Sequence, residues 1–405
     1  MKISMKRMCK FSLCLMISAI CFAVSGEIQL VSPVENTIVP LLSENEKKIR
    51  EYDTPEARKA VIEADSKEKK IFFGKKALWR RPLPVEFKWK CTDGESAPFR
   101  ITVSEKPDFS DPVYAFIGTY QVKYMKYPSD KLSLPPYYGN FKIGQKYYWK
   151  VTSFSKKGVR GTVKTESAAG TFVTEDLPPR WIALMPVHIE PRNIRDLGGY
   201  RTVDGKRVKQ GMIFRGPELN VNSFDGEMPN HSRLTCYDLD LFRNRLKIRS
   251  DLDLRNRFEI GSQMKGSPLG ESVKFLPNGG DSYATFFSPK GKKKTAANFR
   301  VFCDEANYPI YFHCQGGLDR TGSLAFVLEA VLGFPEKDIA LDYEWSFYPN
   351  QRKYTFFDSY KTLVQGIRKY GKEGDTIREC AERYLKSAGI TQEEIEKFRS
   401  IMLKK

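Results

Sequence analysis

Between Tyr308 and Gly333 the chain passes without a break from an apolar strand candidate, YPIYFHC, through a short loop with two adjacent glycines into an apolar-rich helix candidate, TGSLAFVLEAVLG. A strand that feeds a helix across so few residues, both apolar enough for burial, fits the βα unit of a parallel sheet. Gly333 and Pro335 close that helix. KIRSDLDLR, residues 247 to 255, is another short strand candidate, and PEKDIALDYEWSF continues as a further helix. TIRECAERYLKSAGIT and TQEEIEKFRSIML add two more, the last opened by Thr391 with Glu394 three residues on, which is a capping box. Together these predict an α/β domain, a mostly parallel sheet flanked by helices.

The first half carries a different period. In VEFKWKC, Val85, Phe87, Trp89 and Cys91 share one face while Glu86, Lys88 and Lys90 share the other. FRITVS and YYWKVTSF alternate in the same way, the latter after a turn at FKIGQK. Half-buried strands at this spacing predict an all-β sandwich over 27–178. ITVSEKPDFSDPV followed by GQKYYWKVTSF resembles fibronectin type III-like modules. Residues 43 to 70, charged and free of glycine, read as a helical insertion, a hairpin or arm. At EDLPPRW, residues 175 to 181, two prolines end the last strand, which places the boundary of the α/β domain at 179–405.

The opening residues MKISMKRMCKFSLCLMISAICFAVSG pair Lys2, Lys6, Arg7 and Lys10 with an apolar run and a small-residue end, the pattern of a signal peptide over 1–26. The run is shorter than the roughly 20 residues that span a bilayer, so the expectation is an exported, periplasmic or extracellular protein with no transmembrane segment. Lipid anchoring at Cys21 is the alternative, against which the bulky Ile20 argues. The net charge of +18 is scattered and lacks an aromatic RNA-binding signature, which argues against a nucleic-acid partner, but it would draw anions toward a cleft. Beyond the leader stand Cys91, Cys236, Cys303, Cys314 and Cys380, an odd number that leaves at least one thiol unpaired within the chain. Cys303 or Cys236 would either protect a reactive thiolate by reversible pairing or serve as core residues. No cysteine spacing suits zinc, and the histidines are only His188, His231 and His313, so neither a metal nor another cofactor is expected.

The loop HCQGGLDRTG, residues 313 to 322, suits phosphate. With a strand ending at His313 and a helix starting near Thr321, the amides of the intervening Cys314, Gln315, Gly316, Gly317 and Leu318 can turn inward with the helix start to make an anion site. Gly316 and Gly317 allow close backbone approach, and Arg320 offers a two-pronged clamp for phosphate oxygens. Negative charge at the centre favours a Cys314 thiolate as nucleophile. Asp319 is the nearest acid for the leaving group, with Asp253 and Asp281 as rivals. Thr321 is expected to bond the Cys314 sulfur, and His313 to fix the loop through a backbone hydrogen bond.

Five ordered segments resemble the cysteine-dependent protein tyrosine phosphatases, within them bacterial tyrosine and dual-specificity enzymes that also act on phosphoinositides: RNIRDLGGY, GMIFRGPEL, LKIRSDLDLRNRFE, HCQGGLDRTG and DYEWS. The resemblance covers about 191 to 403. It implies Cys314 as nucleophile, Arg320 as phosphate ligand and Asp319 as acid, with Asn193, Arg195, Asp196, Arg215 and Arg255 bordering or bracing the pocket and Gly198 and Gly199 making a turn. An alternative for these arginines and aspartates is simple mutual pairing. Leu318 stands where that group usually carries lysine, which favours monophosphate esters over polyanionic head groups. Residues 279 to 299 read as a lid or specificity element at the pocket mouth. The expected activity is phosphate monoester hydrolysis, on phosphotyrosine and phosphoserine or phosphothreonine, through a cysteinyl-phosphate. A phosphoinositide or inositol-phosphate phosphatase is the alternative, and a non-catalytic phosphate-ester binding protein is the rival of another class. The sandwich would position the enzyme or bind a protein or glycan partner.

Overall fold

The computed structural model describes residues 27–58, 60, 82–92, 98–117, 130–134, 139–155, 161–184, 193–219, 234–260, 266–346 and 357–404. The expected leader, residues 1–26, and residues 61–81, which include the end of the expected insertion, lie outside them.

The first half holds β1 (Ile28–Ser32), β2 (Thr37–Val39), β3 (Val85–Cys91), β4 (Phe99–Ser104), β5 (Pro112–Ile117), β6 (Lys131–Leu134), β7 (Lys146–Phe154), β8 (Val163–Glu166) and β9 (Gly170–Thr174). They form one sheet in the order β1-β3-β6 and another in the order β2-β9-β7-β4-β5, with β8 paired to β7. Phe87 and Trp89 from the first sheet and Ile101, Trp149, Val151 and Phe172 from the second share one buried cluster. The Phe87 ring lies 4.9 Å from that of Trp149 and 5.8 Å from that of Phe172. The alternation of VEFKWKC is therefore real burial, apolar side in.

Helix Glu44–Glu51 lies within the expected insertion and opens on a Ser43–Glu46 capping box. It is a joint to the second half and not a free arm, because its one apolar side chain and its charges find partners there. Ile49 packs with Trp181, Leu341 and Trp345. Glu46 accepts from the Trp181 indole at 3.0 Å, and Arg50 pairs with Asp338 at 3.0 Å. Arg58 grips both oxygens of Glu344 at 2.7 and 2.9 Å.

The second half contains β10 (Arg180–Trp181), β11 (Arg195–Asp196), β12 (Ile213–Pro217), β13 (Ser250–Asp253), β14 (Lys274–Leu276) and β15 (Ile310–Cys314). Their order is β10-β11-β12-β15-β13-β14, and β12, β15, β13 and β14 run parallel while β10 and β11 add an antiparallel edge. Alternate residues serve opposite faces. Ile213, Ile310 and Phe312 join Leu324, Leu328 and Phe398 in one core, whereas Phe214 and Tyr311 join Phe242 and Leu246 in another. Burial on both faces is what a continuous apolar strand such as IYFHC requires.

The four predicted helices form as Asp319–Leu332, Glu336–Trp345, Ile377–Ser387 and Gln392–Met402, the last with its Thr391–Glu394 box. Residues 279 to 299 differ from a plain lid. After a short helix, Tyr283–Phe286, helix Pro289–Phe302 starts at a Ser288 cap, runs through the GKKK stretch and buries Ala296, Phe299 and Phe302. No helix among the described residues is long and apolar enough to cross a membrane.

Candidate active site

The parallel strands end together beside one loop. Cys314 is the last residue of β15 and is only 2% exposed; the loop is Gln315–Leu318, and the helix already begins at Asp319. The sequence placed the strand end at His313 and the helix start at Thr321. The register extends β15, since Cys314 still pairs with Pro217 of β12. Asp319, Arg320 and Thr321 thus form the first helical turn, where an acidic residue suits the positive end of the dipole.

Among the described residues, the backbone N–H groups of Gly316, Gly317, Leu318, Asp319 and Arg320 have no protein acceptor. Orphaned donors at a loop and helix start are the material of an anion site. Gly317 holds φ +69, and a Cβ there would come within 2.5 Å of the Gly216 backbone. Leu318 turns inward, 3% exposed, with a methyl where a Cβ on Gly316 would fall. Gln315 is exposed, and its carbonyl accepts from the Glu218 amide at 3.2 Å. The expected Thr321 hydroxyl to Cys314 sulfur bond is absent: Thr321 Oγ1 is buried without a partner, because the earlier helix start puts it inside the first turn.

A buried polar network braces the loop from below. Asn193, at φ 83, donates from Nδ2 to the Gly317 carbonyl at 3.2 Å and accepts from Arg195. Arg215 also donates to that carbonyl, at 3.0 Å. Both arginines end on Asp342, Arg195 Nε at 2.6 Å and Arg215 through Nη1. Burial pushes the Asp342 carboxyl up, but the two guanidiniums outweigh it and hold the group well below the usual carboxylate range. Burial, with the Asp342 charge beside it, pushes the Glu329 carboxyl well above the usual carboxylate range. Asp342 was part of the DYEWS segment but had no role assigned from sequence.

Asp196 belongs elsewhere. Its carboxylate accepts from the Gly198 amide at 2.7 Å, the Gly211 amide at 2.6 Å and Arg180 at 2.9 Å, tying the turn at Gly198 and Gly199 to β10. Arg195 and Asp196 do not pair with each other, since neighbours in a strand point to opposite faces. Asp253 is buried under Arg255, which binds its carboxylate at 2.7 to 3.0 Å and also reaches Glu218. Burial raises the Asp253 carboxyl, yet the His313 and Arg255 charges prevail and hold it low. That is a poor proton donor. Asp281 is paired with Lys294 at 3.1 Å. His313 sits between Asp251 at 3.0 Å and Asp253 at 3.9 Å, with Nδ1 3.3 Å from the Cys314 carbonyl; burial lowers its pKa, but the two carboxylates overcome this and favour the imidazolium. The 3.0 Å contact is an ion pair without hydrogen-bond alignment.

Around Cys314 the chemistry converges. Arg320 and Arg215 both lie within electrostatic reach of its sulfur. Arg320 is held by both oxygens of Glu259 at 2.6 Å and by the Leu254 carbonyl at 3.3 Å, so its fork is oriented before any ligand arrives. Asp319 accepts a hydrogen bond from the Tyr283 hydroxyl, a partner the sequence did not reveal. Cys303 is a core residue, its sulfur against the Phe299 and Glu394 carbonyls, and burial pushes its thiol up to about 12; Cys236 is exposed, and none of the described cysteines is in a disulfide. Among the described residues no cluster of three or more His, Cys, Asp or Glu could hold a metal ion. A cleft of about 660 Å³ lies away from this chemistry, lined by Tyr308 and Pro309 at the opposite end of β15. Geometry and reactive groups, not volume, mark the loop as the site.

A family model described as "Tyrosine phosphatase family" matches residues 189–404. A Cupriavidus necator protein named as a predicted tyrosine-protein phosphatase is 27% identical over 195 residues, which cover 43% of this chain and 66% of that protein's length. The core catalytic domain of the PP-IP phosphatase SIW14 from S. cerevisiae, solved with citrate, aligns over 50% of this chain and 95% of its own at 17% identity and a TM-score of 0.29.

Proposed function

The chain belongs to the tyrosine phosphatase family, a family of phosphoric monoester hydrolases, and from that premise we propose that it hydrolyses singly phosphorylated esters through a cysteinyl-phosphate. The observation that carries the reading is the cradle itself: five unpartnered amides between Cys314 and the pre-oriented fork of Arg320. The amides and Arg320 hold the phosphate oxygens, and the Cys314 thiolate attacks phosphorus. The P–O bond to the alcohol breaks as Asp319 gives its proton to the leaving oxygen. Water then attacks phosphorus, Asp319 takes a proton from it, and the S–P bond breaks to release phosphate and the thiolate.

Leu318 supports monoesters over polyanionic head groups, because its buried side chain adds no charge to the pocket. In this reading phosphotyrosine is the first substrate to try, with phosphoserine and phosphothreonine next and inositol phosphates as the alternative. The first-half sheets act as a fibronectin type III-like sandwich that positions the enzyme or binds a protein or glycan, and the leader sends the protein out of the cytoplasm.

The test is hydrolysis of phosphotyrosine peptides, inositol phosphates and phosphoinositide vesicles by purified full-length protein with chelator present. Peptide turnover is expected, with Cys314→Ser abolishing it while vanadate still binds. A wild-type protein that binds vanadate and hydrolyses none of the panel would be a binding protein. Turnover confined to the inositol compounds would overturn the substrate assignment.

A further inference from the structure

We propose that Tyr283 and Tyr343 form a hydroxyl relay that positions the Asp319 carboxyl for proton transfer, Tyr283 directly and Tyr343 through it. This rests on the reading of Asp319 as the acid.

The Tyr343 hydroxyl donates to that of Tyr283 at 2.9 Å, and the Tyr283 hydroxyl donates to Asp319 Oδ1. Oδ2 of Asp319 has no hydrogen bond among the described residues, which leaves one carboxyl oxygen held and the other available to a leaving group. Three elements converge to make the chain: the short helix Tyr283–Phe286, the loop helix Asp319–Leu332 and helix Glu336–Trp345. Tyr283 sits at φ 53, a left-handed conformation that is unusual for an aromatic residue and needs a surrounding structure to hold it. Its amide lies 3.4 Å from Ser323 Oγ, one turn beyond Asp319 on the same helix, so the backbone is tethered where the hydroxyl must reach. Gly280, three residues earlier, would bring a Cβ within 3.6 Å of Arg320 Cβ, so the segment lies along the site.

The charged and titratable groups facing Asp319 are Arg320 and Cys314 on its own segment, Glu259 through Arg320, Arg215 behind Tyr343, and the two tyrosines. Burial raises both phenols far above neutrality, so each remains a protonated donor while Asp319 cycles. A donor fixed on Oδ1 holds the carboxyl in one orientation. Removing it should let the carboxyl swing away from the leaving oxygen.

The experiment compares wild type, Tyr283→Phe, Tyr343→Phe and Asp319→Asn in the full chain, on phenyl phosphate, whose leaving group needs a proton, and p-nitrophenyl phosphate, whose leaving group does not. For Tyr283→Phe, kcat on phenyl phosphate should fall about tenfold against a threefold or smaller loss on p-nitrophenyl phosphate. Tyr343→Phe should show the same selective loss on phenyl phosphate, but a smaller one. Unchanged vanadate affinity checks that the loop is intact, and if Tyr283→Phe loses it, Tyr343→Phe decides. Equal losses on both substrates would mean a purely structural tyrosine and overturn the inference. Should Asp319→Asn show no dependence on leaving group, the acid assignment fails and the relay with it. If Asp319→Asn shows that dependence and neither tyrosine variant does, the relay alone is wrong.

Discussion

The same parallel strands end in two very different places. At their carboxyl ends lie Cys314, the unpartnered amides and Arg320; at the amino ends, about 16 Å back along β15 at 3.3 Å per residue, lies the cleft lined by Arg180, Arg245, Lys247, Arg249, Tyr308 and Pro309. Both are positive and both are concave. The cleft's inner cations are already engaged, Arg180 with Asp196 and the Asn140 and Phe141 carbonyls, Arg245 with the Gly139 carbonyl. Lys247 and Arg249 are exposed. At the loop, by contrast, donors are desolvated, oriented and left open. Charge becomes a chemical site only where structure fixes its direction and leaves it unsatisfied.

Four substitutions probe that contrast. Arg320→Lys keeps the charge but loses the fork gripped by Glu259, and should reduce kcat by about a thousandfold, the scale of losing a fixed donor to transition-state charge. A lysine enzyme within tenfold of wild type would show that charge alone suffices at this end too. Asp342→Ala leaves Arg195 and Arg215 buried without their shared carboxylate and should cost about 3–5 kcal/mol, read from the urea midpoint, with phosphatase turnover falling as the loop loses its brace. Unaltered stability would mean the network is dispensable. Lys247→Ala and Arg249→Ala at the cleft should change stability by less than about 0.5 kcal/mol and turnover by less than twofold. A larger loss of turnover would tie the two ends together.

The strand, loop and following helix were legible because burial on both faces of β15 writes a continuous apolar run, and because Gly317 must approach the Gly216 backbone. Cys314, Asp319 and Arg320 were legible with them, being local in sequence. The bracing was not, since Arg195 and Arg215 meet Asp342 across 147 and 127 residues. Asp196 was assigned to the pocket from its motif, although strand alternation already required it to face away from Arg195. Tyr283 and Glu259 carry no local signature, as each acts by reaching a residue on another element. The charged, glycine-free run from 43 to 70 foretold a helix, but not that the helix would bridge the two halves.

Helix Glu336–Trp345 faces both ways: Asp342 serves the loop brace, while Leu341, Glu344 and Trp345 meet the first half. A chain trimmed at the proline boundary would therefore bare Trp181 and Trp345 and strand Glu344 without Arg58, creating a sticky patch and an unpaired acid on the helix that braces the Cys314 loop. The prolines mark where a strand stops. They do not mark where the protein can be cut.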